Sequence, residues 1–312
     1  MKFALKNTLL YSYLRCFYKK YFVKSKKDLS SEQRVKLLKK SYEHVMKHQF
    51  DIYHPKTFTE KLQWYKEFYN PKGLINVVDK YLFKQYIEDK LGKGYTIPLY
   101  GAWTDLESFE NYWNKLPSAF VLKSTLQSDG KYIKIIRDKN AVDLKALKKE
   151  LTEWLDSKKT LINSFCRAYH EGVPRILAEE YMEQVDNQLY DYKFFCFNGK
   201  PHCVYVAIDH FPGQLSHISF YDLNWNRLDV QYGEHPMNNV EKPKHYEDML
   251  KIAEKLSVDF PFVRVDFFDT EEKLYLAELT LYPGGGFTPY HPESFDKELG
   301  DLFILPKRGD KQ

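Results

Sequence analysis

Residues 262–287, FVRVDFFDTEEKLYLAELTLYPGGGF, decide the fold of this chain. Strand-like runs at 262–268 and 274–281 flank a short polar segment, a pattern that predicts a β-hairpin. Read with a period of two, one face of each strand is wholly apolar. These apolar positions are Val263, Val265 and Phe267 on the first strand and Tyr275, Ala277 and Leu279 on the second.

The opposite face carries the polar residues of the hairpin, which are Arg264, Asp266, Glu278 and Thr280. A three-residue turn with Asp269 opposite Lys273 would place Arg264 across from Glu278. Carboxylates among large apolar groups are costly unless they are exposed or paired. One interpretation is a Mg²⁺ site that also takes nucleotide phosphates, and the other is a surface ion pair between Arg264 and Glu278. The hairpin alone favours neither.

A glycine-rich loop follows the second carboxylate. Pro283 comes five residues after Glu278 and precedes Gly284, Gly285 and Gly286. Glycines let backbone N–H groups approach a ligand closely, and successive N–H groups make a concave site for an anion or a developing oxyanion. This adjacency shifts the balance toward a binding site, although an ordinary turn is the alternative.

A second hairpin is predicted at Asn198-Gly199, because this dipeptide is a strong signal for a two-residue turn. The turn pairs Phe197 with Lys200 and Lys193 with Val204. It also places Asp191, Lys193 and Phe195 on one face of their strand.

The rest of the chain divides into a helical part and a mixed part. Helices are expected at 32–47, 58–68 and 78–90, with Thr57 or Thr59 as the cap of the second. From about residue 117, strands are expected at 119–123, 132–137, 175–180, 192–197 and 202–208, and helices at 144–154 and 246–256. This mixture predicts an α+β architecture.

Composition restricts the class of protein. Of the 312 residues, 43% are hydrophobic and 17% are aromatic, which excludes a disordered chain. The net charge is +4, yet residues 1–27 hold eight basic residues and no acid, and the remainder has 39 basic against 43 acidic residues. A nucleic-acid binder normally spreads its basic residues over a folded face, so we do not expect nucleic acid as a partner.

Residues 1–27 have the spacing of an amphipathic helix with lysines between apolar residues. A membrane-surface anchor is one interpretation, and a helix packed on the body with a solvated basic face is the other. No apolar stretch reaches membrane-spanning length, and we do not expect a secretory signal, because charge interrupts the apolar run at the N-terminus. The four cysteines form no C-x-x-C pair, which is typical of buried or inactive thiols in a reducing cytosol.

Taken together, the motifs resemble the ATP-grasp superfamily and, more narrowly, the TupA-like ATP-grasp family of bacterial polysaccharide biosynthesis. The matching segments are 57–64, 78–81, 120–123, 178–181, 191–201, 260–266 and 278–286. The resemblance implies an ATP-grasp fold in which two α+β subdomains clasp the nucleotide, preceded by a helical N-terminal region. The implied bounds are 1–27 for the basic arm, 28–116 for the helical region, 117–182 for the nucleotide-binding subdomain and 183–312 for the catalytic subdomain.

The resemblance also implies a role for each candidate residue. For ATP, the implied residues are Lys123 and Lys193 at the phosphates, Gly130 in the loop that covers them, Glu179, Glu180, Tyr181 and Met182 at the adenine hinge, and Glu183 or Asp186 at the ribose. For catalysis, they are Asp266, Glu278 and Thr280 at Mg²⁺, Arg264 on the transferred phosphoryl group, and Gly284, Gly285 and Gly286 at the oxyanion. The chain departs from the family in its segment 124–130, which keeps one glycine and adds Asp129.

The implied function is that of an ATP-dependent carboxylate–amine ligase, which forms an amide through an acyl phosphate. The expected substrates are a uronic acid of a bacterial capsular or cell-surface polysaccharide and an amino acid or other amine. The expected location is the cytoplasm, at the inner face of the membrane if the arm binds lipid. A glycosyltransferase and a non-catalytic ATP-grasp scaffold are the alternatives, and the altered segment 124–130 favours the scaffold slightly.

Overall fold

The computed structural model describes residues 26–127, 132–182, 190–208, 216–270 and 272–307. The predictions for residues 1–25, Gly130, Glu183 and Asp186 lie outside these residues. Of the N-terminal arm, Lys26–Asp28 forms a short 3₁₀ turn. Within the described residues, none of the helices is both long enough and apolar enough to cross a membrane.

The N-terminal region is helical, as predicted. Its first helices are α1 (Ser31–Met46) and α2 (Phe58–Phe68). Thr57 caps α2: its side chain accepts from the Glu60 N–H while the Glu60 side chain accepts from the Thr57 N–H. This reciprocal pair satisfies backbone donors that a helix start otherwise leaves open.

The single helix predicted at 78–90 is wrong. The structure has a short α3 (Ile75–Val78) and a separate α4 (Leu82–Leu91). The Asp79 carboxylate accepts from the Tyr81 and Leu82 N–H groups, at 2.8 and 3.1 Å, and so begins α4 anew. Competition of an aspartate side chain with the helix ladder is the physical reason for the break.

A four-stranded antiparallel sheet follows, in the order β1-β4-β2-β3. Its strands are β1 (Leu99–Trp103), β2 (Phe120–Ser124), β3 (Ile133–Ile136) and β4 (Ile176–Glu180). Helices α5 (Leu106–Trp113) and α6 (Leu144–Leu155) share an aromatic and aliphatic core with it. The sequence did not indicate β1, whose residues lack an alternating burial pattern. Because β1 pairs with β4, this sheet extends across the boundary placed at residue 117.

A six-stranded antiparallel sheet forms the second half, in the order β11-β10-β5-β6-β7-β8. Its strands are β5 (Asp191–Phe197), β6 (Lys200–Ile208), β7 (His217–Asp222), β8 (Arg227–Leu228), β10 (Phe262–Asp269) and β11 (Leu274–Thr280). The short strands β9 (Gln231–Tyr232) and β12 (Tyr290–His291) pair with each other. Helices α7 (Tyr246–Ser257) and α8 (Glu293–Leu302) complete the α+β fold.

Helix α2 is part of the large core under this sheet. Phe58 is fully buried, and its ring centroid lies 4.8 Å from that of Phe262 on β10 and 5.9 Å from that of Phe195 on β5. Tyr65 donates to the backbone carbonyl of Phe262 at 3.0 Å. Aromatic side chains therefore fix α2 against the sheet.

The register predicted for the β10–β11 hairpin is wrong by two residues at Glu278. Asp266, not Arg264, lies opposite Glu278, and Arg264 lies opposite Thr280. A register shift next to Asp266 leaves Ala277 as the extra residue of a bulge, and four residues rather than three connect the strands. Beyond the bulge Leu276 takes the buried position that had been assigned to Tyr275 and Ala277.

The second hairpin is confirmed at its turn and wrong further along. Phe197 pairs with Lys200 as predicted, but Lys193 pairs with Tyr205 rather than Val204. The register shifts between Phe195 and Cys196, which adds one residue to β6. As a result, the Tyr205 hydroxyl lies beside the charged residues of β5 and β10.

Candidate active site

Three neighbouring strands place three charged residues in one row. Asp266 on β10 lies opposite Lys193 on β5 and opposite Glu278 on β11. Lys193 Nζ is 2.7 Å from Asp266 Oδ2. We call Lys193, Asp266 and Glu278 the charged row, and antiparallel pairing alone is sufficient to align it.

Arg264 binds this row from the same face of β10, two residues away. Its Nε donates to Asp266 Oδ1 at 2.7 Å and its Nη2 donates to Oδ2 at 2.5 Å, a bidentate pair. Nη2 also lies 3.4 Å from Glu278 Oε1 and donates to Thr280 Oγ1 at 3.1 Å. Nη1 donates to the Tyr205 hydroxyl at 3.0 Å. The guanidinium therefore joins both carboxylates, which the sequence had predicted as a shared site.

The two carboxylates differ in their electrostatics. Asp266 is fully buried, and this burial raises its pKa to about 6, with Glu278 adding to the rise and Arg264 and Lys193 opposing it. For Glu278, burial also disfavours the charge, but Lys80, Lys193 and Arg264 outweigh it and hold the pKa at about 2. The Glu278 side chain keeps 36% of its surface exposed. Glu278 is thus the ionised, accessible carboxylate of the pair.

A second group of cations lies at the end of the four-stranded sheet. Lys123 on β2 pairs with the buried Glu179 on β4 at 2.6 Å, and Lys84 on α4 pairs with the same carboxylate at 2.5 Å. The backbone of Glu179 is itself paired on both sides, to β1 and β2. Next to it, the Glu180 N–H donates to the Pro98 carbonyl at 3.0 Å. The adenine-hinge role of Glu179, Glu180, Tyr181 and Met182 stays a prediction.

Lys80 connects the two groups, and sequence reasoning did not assign it a role. It follows the Asp79 cap of α4, and its Nζ donates to the Gln127 carbonyl at 2.6 Å and lies 4.0 Å from Glu278 Oε2. Burial lowers its pKa, and Glu278 opposes this while Lys123 assists. The available signal was the segment 78–81, whose lysine precedes Lys84 by four residues.

The glycine loop over Pro283–Gly286 consists of two linked turns, closed by the Gly285 N–H on the Tyr282 carbonyl and the Phe287 N–H on the Gly284 carbonyl, with non-helical backbone between them. All three glycines have positive φ angles, of 55°, 62° and 63°, which side-chain-bearing residues rarely adopt. The Gly285 N–H donates to the Tyr282 carbonyl at 2.9 Å, and the Gly286 carbonyl accepts from Gln63 Nε2 at 2.7 Å. The loop is therefore held by α2.

The donor set of the charged row fits a magnesium ion. Carboxylate oxygens from Asp266 and Glu278, with the hydroxyl of Thr280 3.2 Å from Glu278 Oε1, are the hard oxygen ligands that Mg²⁺ takes. Within the described residues, however, no three His, Cys, Asp or Glu side chains are clustered to hold a metal by themselves. Substrate oxygens and water would have to complete the shell, as is usual for Mg²⁺ with nucleotides.

The profile of the TupA-like ATPgrasp family matches residues 60–304. The chain belongs to the TupA-like ATP-grasp family. The ATP-grasp fold and the resemblance drawn from the motifs are thereby confirmed. A search of curated proteins finds no match.

Solved structures with a similar fold include other ATP-grasp proteins. The D-alanine–D-alanine ligase from Helicobacter pylori is 17% identical over 74% of this chain, with a TM-score of 0.40, and this chain spans 61% of its length. The corresponding ligase from Bacillus anthracis is 16% identical over 82% of this chain and 76% of its own, with a TM-score of 0.42. A RimK domain ATP-grasp protein from Sphaerobacter thermophilus is 8% identical over 74% of this chain and 68% of its own, with a TM-score of 0.39. At these sequence identities and TM-scores, the solved structures do not indicate the substrate of this chain.

Proposed function

We propose that this ATP-grasp protein is an ATP-dependent carboxylate–amine ligase. The observation that carries the proposal is the charged row, in which Arg264 contacts both Asp266 and Glu278 while Lys193 neutralises Asp266 from the next strand. Two carboxylates with cations on each side are suited to binding a metal-complexed triphosphate and stabilising charge that moves during phosphoryl transfer.

Nucleotide binding is supported by the lysines that surround the row. Lys80 lies 4.0 Å from Glu278. Lys123, on the four-stranded sheet, is near enough to Lys80 to help lower its pKa. We propose that Lys80, Lys123 and Lys193 contact the phosphates, with Glu180, Tyr181 and Met182 near the adenine. Asp266, Glu278 and Thr280 would hold Mg²⁺, which when bound neutralises phosphate charge and aligns the phosphate oxygens.

The proposed reaction has two steps. A carboxylate oxygen of the acceptor attacks the γ-phosphorus, the bond to the β-phosphate oxygen breaks, and ADP leaves with an acyl phosphate remaining. An amine nitrogen then attacks the acyl carbon, inorganic phosphate leaves, and the amine loses a proton. Arg264 stabilises charge in the first step, and the glycine loop steadies the oxyanion of the second. In keeping with the family, we propose a uronic acid of a bacterial cell-surface polysaccharide and an amino acid or amino alcohol as substrates.

The experiment that tests the ligase is a screen for ADP release with pairs of uronates and small amines. We expect release that requires Mg²⁺, a carboxylate and an amine together, and no release from Glu278→Gln. Release by Glu278→Gln near the wild-type rate would contradict the assignment. A parallel assay with UDP-sugars separates the ligase from a glycosyltransferase.

A non-catalytic nucleotide-binding scaffold has one observation in its favour. Thr125, Leu126 and Gln127, where the phosphate-covering segment begins, are buried, and Gln127 Nε2 donates to the Lys159 carbonyl. Because these residues are buried and hydrogen-bonded, this end of the segment has little freedom to move toward bound phosphates. Binding of Mg²⁺–ATP by calorimetry without ADP release from any pair would support the scaffold.

Association with the inner membrane surface is a separate proposal. It rests on the eight basic residues of residues 1–27, which anionic lipid would attract. Co-sedimentation with anionic vesicles should be lost when residues 1–27 are removed, and equal sedimentation of both proteins would rule out the anchor.

A further inference from the structure

Helix α2 contacts the glycine loop through two polar side chains. Gln63 and Lys66 are three residues apart and therefore share one face of the helix. Gln63 Nε2 donates to the Gly286 carbonyl at 2.7 Å and to the Gly285 carbonyl at 3.4 Å. Lys66 Nζ donates to the same Gly285 carbonyl and to Gln63 Oε1, the latter at 2.9 Å. Two consecutive loop carbonyls are thus bound by α2.

Lys66 is an unusual residue to find in this position. It is 2% exposed, and Gln63 beside it is fully buried. Among the described residues, its contacts are Gln63, the Gly285 carbonyl and the Phe287 ring, whose centroid lies 4.2 Å away, and none of these is a carboxylate. A buried ammonium without an anion is costly. By contrast, the buried Arg34 has a carboxylate partner, Glu67, at 2.8 Å.

The contacts with α2 also indicate the direction of one loop amide. In a trans peptide the N–H and the C=O point in opposite directions. Because the Gly285 carbonyl points to α2, the N–H of Gly286 points away from α2. A Cβ on Gly286 would lie 2.4 Å from Gln63 Nε2 and 2.9 Å from Leu62 Cβ, so the loop and the helix are in direct contact.

We infer that Lys66 and Gln63 are positioning residues that fix the direction of the amide groups in the glycine loop. The consequence for catalysis rests on the ligase proposed above. A cation at the Gly285 carbonyl also polarises that peptide group, and this makes the Gly286 N–H a stronger donor to a developing oxyanion. Gln63 fixes the orientation of the next peptide group by donating to the Gly286 carbonyl, and its own side-chain oxygen accepts from Lys66. The two side chains therefore act as a pair.

The charge of Lys66 responds to pH. Burial lowers its pKa to about 8, Cys166 opposes this shift and Lys26 assists it, and within the described part of the chain these are the titratable groups that influence it. An unfolded lysine has a pKa of about 10.4. Between these values the unfolded chain binds more protons, so Lys66 makes the protein more stable as pH rises. Loop order should change in the opposite direction, because the charge that holds Gly285 is lost.

Hydrogen–deuterium exchange of the peptide that contains residues 284–287 tests the inference without any substrate. In Lys66→Met, we expect this peptide to exchange about tenfold faster, the effect of losing one charged hydrogen bond, while the melting temperature does not fall. Lys61→Met is the matched control, because Lys61 lies on α2 and donates to the Gly300 and Phe303 carbonyls at 2.7 and 2.9 Å. It should leave loop exchange unchanged.

Should Lys66→Met not fold, Gln63→Leu serves in its place and should show the same local increase. Unchanged loop exchange in the folded variant would overturn the inference, whatever the activity. The pH dependence offers a second readout: wild-type loop exchange, corrected for intrinsic rates, should increase above about pH 8, and Lys66→Met should lack this increase.

The kinetics of ADP release then distinguish a role of Lys66 in catalysis, through the loop, from a role in holding the loop alone. We expect Lys66→Met to lower kcat about tenfold with KM for Mg²⁺–ATP within about twofold, since Lys66 would act only on the loop, and Lys66→Arg to recover part of kcat. A loosened loop with unchanged kcat would overturn the positioning role. Absence of ADP release from the wild type would instead contradict the proposed ligase activity. Hydrogen–deuterium exchange would still test whether Lys66 holds the glycine loop.

Discussion

Asp266 and Glu278 stand opposite each other, yet their surroundings differ. Both oxygens of Asp266 accept from Arg264 while Lys193 contacts one of them, and the residue is fully buried. Glu278 accepts from the Thr280 hydroxyl at 3.2 Å and lies 3.4 Å from Arg264 and 4.0 Å from Lys80, and 36% of its side chain is exposed. Removing one partner of a buried ion pair is far more costly than removing an exposed charge.

Substitution of the two carboxylates should therefore affect folding unequally. Asp266→Asn should lower the free energy of unfolding by about 3 kcal/mol, because it leaves Arg264 and Lys193 buried with weaker partners. Glu278→Gln should change it by less than about 1 kcal/mol, because solvent screens the exposed group. Urea denaturation measures both, and equal losses would contradict the assigned burial.

Lys80 should matter for nucleotide affinity. Lys80→Met removes a cation next to Glu278, and we expect the Kd for Mg²⁺–ATP to rise about tenfold, the loss of one charge-assisted contact to phosphate. Lys93→Met is the control, because the Lys93 side chain is 86% exposed and pairs with Glu88, away from the charged row. Calorimetric titration that gives the same Kd for both variants would remove Lys80 from the nucleotide site.

At the scale of elements, register depends on single bulged residues. In both hairpins the strands were predicted but the pairing was displaced, by two residues opposite Glu278 and by one residue opposite Lys193. Ala277 is the extra residue in one and His202 in the other, where Phe195 pairs with Cys203 and Cys196 with Pro201. The position of a bulge depends on packing against neighbouring strands rather than on the side chain of the extra residue. A prediction that assumes strict alternation along each strand therefore missed both bulges.

The Asn-Gly turn offers a test of backbone conformation at this scale. Asn198 has a φ angle of +49°, and its side chain donates to the Leu302 carbonyl at 3.0 Å. Asn198→Ala and Asn198→Gly both lose this hydrogen bond, but only glycine adopts the left-handed conformation freely. We expect Asn198→Gly to be more stable than Asn198→Ala by about 1 kcal/mol. Thermal or urea unfolding gives the difference, and the reverse order would contradict a left-handed turn.

At the scale of the whole molecule, the cysteines report on global opening. Cys196 and Cys203 are 0% and 1% exposed in the core under the six-stranded sheet, and burial raises the pKa of both thiols. The thiolate is the reactive form, so such thiols are inert while the fold is closed.

Alkylation should therefore follow unfolding. With iodoacetamide at pH 7.5, we expect Cys196 and Cys203 to be modified at equal rates that rise together with denaturant, as expected for one cooperative opening. Cys166, which is only half-buried, should be modified faster. Mass spectrometry assigns each site, and rapid modification of Cys203 in native protein would contradict the core.

Local patterns in the sequence determined the existence of both hairpins, most of the helices, a threonine cap for α2 and the gathering of Arg264, Asp266, Glu278 and Thr280 on one face. These features depend on contacts between residues close in the chain, so period and turn chemistry are sufficient. Only the tertiary structure decided that Lys80 reaches Glu278, that Lys84 and Lys123 share Glu179, and that α2 binds the glycine loop. Gln63 is 223 residues from Gly286 along the chain. Contacts over such distances arise from packing of the whole core, and no local pattern of side chains encodes them.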